Sequence, residues 1–184
     1  MISILRTGWF MAMTMLLAAT IGSPVKAATA AEINADAYAT MQKFEGRVRG
    51  GQDLSRRAAG ILVFPSVVKA GFGVGGEYGE GVLLIGGQPA AYYNTVSASV
   101  GFQLGAQARS VVIMFMTQQA LNSFRNKQGW KVGVDGSVAI VTLGVGGAID
   151  TNTINKPVIG FILDQKGLMY NLTLEGSKIS RINR

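Results

Sequence analysis

Two hydrophobic periods divide the chain. Ile33, Ala37, Met41, Phe44 and Val48 recur at spacings of three and four, which predicts a helix over 32–48 with one apolar stripe. Lys43 and Arg47 stand four apart on another face of it. Gly50-Gly51 breaks this helix, and Asp53 is placed to cap a short second one over 54–59, stopped by Gly60. Beyond Gly60 the period becomes two. Strands are predicted at 61–64, 67–78, 81–85, 91–94, 97–106 and 110–115, with turns at 86–89 and near 107–109 that imply antiparallel hairpins. Thr117 opens a helix over 118–127, with Leu121 and Phe124 inward and Gly129 as its stop. Strands resume at 131–134, 137–145, 158–164 and 168–174, with turn signals at 135–136 and 165–167.

The stretch 61–84, ILVFPSVVKAGFGVGGEYGEGVLL, organises the rest. Alternate strand residues face opposite sides, so Gly71, Gly73, Gly75, Gly79 and Gly81 share one face with Glu77. Each glycine weakens a strand by roughly 0.5–1 kcal/mol relative to alanine. A face this bare predicts the close approach of another backbone, a ring or a ligand. A weak echo of FGVGGEY (72–78) in LGVGGAI (143–149) fits a strongly curved sheet or partly closed barrel.

FPSVVKAGFGVGGEYGEG, followed by YYNTVSASVGFQLGAQ at 92–107 and VVIMFMTQQALNSF at 111–124, resembles the core of the SYLF domain. That family is a lipid-binding module of bacterial envelope proteins and eukaryotic membrane-trafficking proteins, and the likeness extends over 32–184. The resemblance implies binding of phosphoinositides and other anionic lipids. Eukaryotic members are also linked to actin, a role an exported bacterial chain should not share.

Charge agrees with that implication. Seventeen Lys and Arg against ten Asp and Glu give a formal charge of +7, which favours anionic partners without choosing among them. The chain has no histidine and no cysteine, which excludes Cys/His zinc sites, thiol nucleophiles, Ser-His-Asp triads and disulfides. Residues 1–27 read as a secretory signal: Arg6, then an apolar stretch from Gly8 to Gly22, then small residues around Ala27. Export to the periplasm or outside the cell follows, with peripheral attachment to a membrane as an option.

Gly71, Gly73 and Gly76 match a dinucleotide fingerprint by letter only, because strand and not helix continues after them. Glu77 and Glu80 fall on opposite strand faces and do not naturally converge as a catalytic pair; Glu80, near a hairpin, could pair with Lys69 or Arg109. Tyr92 and Tyr93, being adjacent, cannot both point inward. Ser97 and Ser99 share a face but have no histidine to activate them. The positions that point to a ligand are basic. Lys43, Arg47, Arg49, Arg56 and Arg57 fall on the two N-terminal helices and their connection, and Lys69 is the one cation inside the resembling core. An arginine fork suits phosphate, and a solvated basic face is the plain alternative.

The expectation is one α+β domain over 28–184: a curved, mainly antiparallel glycine-rich sheet or partial barrel, braced by the N-terminal helices and one mid-chain helix. It binds anionic phospholipid or phosphoinositide-like headgroups through Lys43, Arg47, Arg49, Arg56, Arg57 and Lys69, with no catalysis, cofactor, metal or nucleic acid. The first helix or exposed aromatics would enter the membrane interface. A structural or protein-interaction module of the periplasm is the alternative, and a small outer-membrane barrel is a more distant one.

Overall fold

A computed structural model of the chain describes residues 27–142, 155–166, 174 and 176–184. Residues 1–26 of the signal segment, the 143–149 echo and all but Leu174 of the strand expected at 168–174 lie outside the described residues. Helix α1 spans Ala30–Arg47 and α2 spans Gly51–Arg57. Thr29 and Glu32 form a capping box at the start of α1, which satisfies two otherwise orphaned N–H groups. At α2 the cap is Gly50, in the left-handed conformation, rather than Asp53, which stands in the first turn.

The sheet is built on one long hairpin. Strand β1 runs Gly60–Ile85 and β2 runs Gln88–Phe115, paired from end to end through the Gly86-Gly87 turn. Both turn glycines have positive φ, as a two-residue hairpin requires. The breaks expected at 65–66, 79–80 and 95–96, and the turn expected near 107–109, are absent: bulges at Phe64/Val67, Phe72/Val74 and Leu83/Leu84 bend the strands instead. Pro65, which has no N–H for the ladder, sits at the first of these. Next come α3 (Gln118–Arg125), β3 (Trp130–Lys131), β4 (Ala139–Thr142), β5 (Val158–Lys166) and β6 (Lys178–Ile182). One arm of β2 pairs with β5 and the other with β6; β3 joins β6, and β4 joins β5 in the only parallel pairing among the described strands. The result is an α+β half-barrel.

The bare glycine face has the predicted use. A Cβ added at Gly79 would stand 2.8 Å from Val67 Cγ2 and 2.9 Å from the Ser66 carbonyl, and one at Gly81 would stand 2.6 Å from Phe64 Cδ1. Strand β1 therefore doubles back until 79–81 lies against 63–67, and only glycine permits that approach. Gly76, on the other face, has open space around it, with its nearest neighbour 4.0 Å away.

Both sheet faces are buried where the arms meet. Ile33, Ala37, Met41 and Phe44 of α1 pack on Ile61, Val63, Val82, Leu84, Val112, Met114 and Phe161. The inner face gathers Leu62, Phe64, Leu83, Tyr93, Val111, Ile113 and Phe115 against Leu121 and Phe124 of α3 and Trp130. Burial on two sides explains why 61–64 and 111–115 are unbroken apolar runs. Helix α1 also covers the outer face, where a membrane-spanning barrel would present lipid-facing side chains. Tyr93 points into the core and Tyr92 outward to Asn34, as adjacency demands.

Candidate functional site

With its apolar stripe committed to the sheet, α1 turns Lys43 and Arg47 toward solvent. Its apolar face is therefore unavailable to a membrane, which corrects the expectation that this helix inserts. Lys43 Nζ lies 3.1 Å from Asp164 Oδ2, and Arg47 Nη1 lies 2.5 Å from Asp164 Oδ1. The hydrogen bond from Arg47, and then that from Lys43, holds the Asp164 carboxyl below the usual range. Two cations thus share one carboxylate and keep a positive balance. Arg56 pairs with Asp53 one turn back on α2. Among the described residues no carboxylate pairs with Arg49 or Arg57, and both are exposed.

Lys43 and Arg47 do not cluster with Arg56. Lys43 and Arg47 occupy the flank of α1 nearest Asp164. Arg56 stands on the other flank, where Tyr38, Met41, Gln42 and Glu45 line a cleft of about 500 Å³ between α1, α2 and the hairpin turn. Met41, Ala58, Ile61 and Leu84 supply its apolar lining. Lys69 is apart from all five: it is 9% exposed, on the inner face, opposite Gln107.

That inner face also holds a buried ion pair. Arg109 Nη2 donates to Glu77 Oε2 at 2.7 Å, with the side chains 2% and 3% exposed. Glu80 takes neither Lys69 nor Arg109; Arg184 donates to both of its oxygens, and the Tyr78 hydroxyl donates to Oε1 as well. Glu77 and Glu80 do lie on opposite faces and form no catalytic pair. Among the described residues no group of acidic side chains is placed to hold a metal ion, and no helix is long and apolar enough to cross a membrane.

Residues 96–183 match the family model Ysc84, described as a Las17-binding protein actin regulator. This match agrees with the resemblance to the SYLF domain read from the sequence. No curated protein matches the chain. The SYLF match takes in most of β2, α3 and β3–β6, and leaves Lys43 to Lys69 outside. A SYLF domain is consistent with a lipid-binding or protein-interaction module, and the family is in general non-catalytic.

Sequence reasoning missed Asp164 and Arg184. The first lies 117 residues from Arg47 and the second 104 from Glu80, so no local spacing points to either.

Proposed function

We propose that this protein binds anionic phospholipid or phosphoinositide-like headgroups, without catalysis, in the bacterial cell envelope. The observation that carries the reading is the charge balance on α1 and α2: Lys43 and Arg47 share the single carboxylate of Asp164, and among the described residues no carboxylate pairs with Arg49 or Arg57. Exposed ion pairs are worth only about 0–1 kcal/mol, so phosphate can displace Asp53 or Asp164 at small cost. A basic residue near an anionic bilayer contributes about 1 kcal/mol. Lys69 is buried on the far face of the sheet and takes no part in this surface.

Flotation of the chain starting at Ala28 tests the reading. Capture is expected on vesicles containing phosphatidylglycerol, weak on pure phosphatidylcholine, and reduced by added salt. Equal capture on both, or none on either, rejects it. Arg56→Glu with Arg57→Glu should weaken capture about tenfold or more, at about 1 kcal/mol per basic residue.

A protein partner is the second reading. The family description supports it, since it names Las17 binding for proteins of this kind. A panel in which no lipid retains the protein favours this one.

A further inference from the structure

Of the six large apolar side chains exposed among the described residues, four belong to one part of the hairpin: Val68, Val74, Tyr78 and Val96, at 47%, 68%, 47% and 45%. Because 79–81 lies against 63–67, β1 turns back between them, and Val74 stands at that bend. Helix α1 covers the same outer face at Ile61, Val63, Val82 and Leu84, and its N-terminal end, at Ile33 and Asp36, lines a cleft with Tyr78. Gly76 opposite Ala98 extends the uncharged surface, and both are exposed. An apolar patch of this kind on a folded chain marks an interaction site.

The sheet register places cations beside it. Tyr78 pairs with Val96, Val96 with Lys178, and Lys178 with Lys131. Directly opposed residues point to the same side, so two apolar side chains and two lysines form one exposed row across four strands. Opposed like charges destabilise a sheet. Of the carboxylates nearby, Glu80 is engaged by Arg184 and Asp135 by Lys127 at 2.6 Å, and Asp36 lines the cleft beside Tyr78.

We infer that this bend is the part of the protein that enters the interface of an anionic bilayer. Val74, Tyr78 and Val96 sit among the headgroups and upper acyl chains, and Lys178 and Lys131 meet phosphates at the edge. The inference rests on the headgroup reading above and supplies the apolar contact that α1, packed on the sheet, does not provide. The charge row favours a lipid surface over a second copy of the chain, which would bring the same two lysines to the same face.

The chain has no cysteine, so one introduced thiol takes one label. Nitroxides at Val74→Cys and Val96→Cys, with Ser123→Cys on the exposed side of α3 as control, are read in the chain starting at Ala28 by oxygen and aqueous nickel accessibility. The vesicles are phosphatidylcholine alone, or one part phosphatidylglycerol to three parts phosphatidylcholine. On the anionic vesicles the labels at 74 and 96 should gain oxygen contact and lose nickel contact, and the one at 123 should not change. Capture with the label at 74 still in water overturns the bend and leaves the headgroup reading standing. No capture overturns both. Shielding of position 74 in buffer with a doubled mass overturns the bilayer as occupant. Lys131→Glu with Lys178→Glu should weaken capture about thirtyfold or more, given the contribution of each basic residue; unchanged capture removes the lysines from the surface.

Discussion

Arg109 and Glu77 form a buried ion pair 2.7 Å long on the inner face of the half-barrel, on two strands that glycine allows to coil. Desolvating two charges offsets most of their attraction, so such a pair adds little net stability, yet breaking it is costly. Glu77→Gln alone should destabilise the protein by about 3 kcal/mol, the lower end of the range for breaking a buried ion pair. Glu77→Leu with Arg109→Met should recover most of that loss. Urea unfolding of the single and double variants checks both; a double variant as weak as the single one would show that the pair is worth more than its desolvation.

The crossing of β1 over itself gives a second expectation. Gly81→Ala puts a methyl against Phe64 and the backbone of Val63, where the strand cannot easily yield. A loss of about 3 kcal/mol is expected, at the upper end of ordinary overpacking. Gly76→Ala, in open space, should stay within about 0.5 kcal/mol of the parent. Equal losses at the two positions would mean that strand propensity, not the crossing, sets the need for glycine.

Much of this architecture is legible in local pattern. The stripe Ile33–Ala37–Met41–Phe44 gives α1 and the face it buries, and the one-sided glycines give the close approach of 79–81 to 63–67. Strand ends are less legible: Pro65 and the glycines look like stops, but a bulge bends a strand without ending it, and β1 and β2 run through all of them. The charged site is legible only as composition. Lys43 and Arg56 lie thirteen positions apart on consecutive helices, and nothing in their spacing shows that they face opposite flanks of α1 or that Asp164 sits under one of them. Burial of Lys69 follows from the register shift at Phe64/Val67, which alternation alone does not reveal.

Phe44 ties the basic helix to the sheet. Its ring is fully buried and meets Phe161 edge-on with centroids 4.7 Å apart. Phe44→Ala should cost about 3–5 kcal/mol. Hydrogen exchange should rise first in α1, and Leu121 on the opposite side of the sheet should be affected less. Uniform loss of protection would show instead that the two cores fail together.

Asp164 restrains the cations that the proposed function needs. Asp164→Asn removes the carboxylate from Lys43 and Arg47 and should strengthen capture by phosphatidylglycerol vesicles several-fold, at a stability cost of about 1 kcal/mol or less, since both cations are more than half exposed. The pH dependence has a definite sign. The folded carboxyl is held below its ordinary value by Arg47 and Lys43, so its contribution is present above about pH 4, the unfolded carboxylate range, and is lost as pH falls through the lowered folded value. The parent should therefore lose stability over that acidic window and Asp164→Asn should lose less, measured by thermal melts at closely spaced pH. If the variant binds anionic vesicles no better than the parent, Lys43 and Arg47 are not part of the lipid-facing surface, and Arg49, Arg56 and Arg57 are left to carry it.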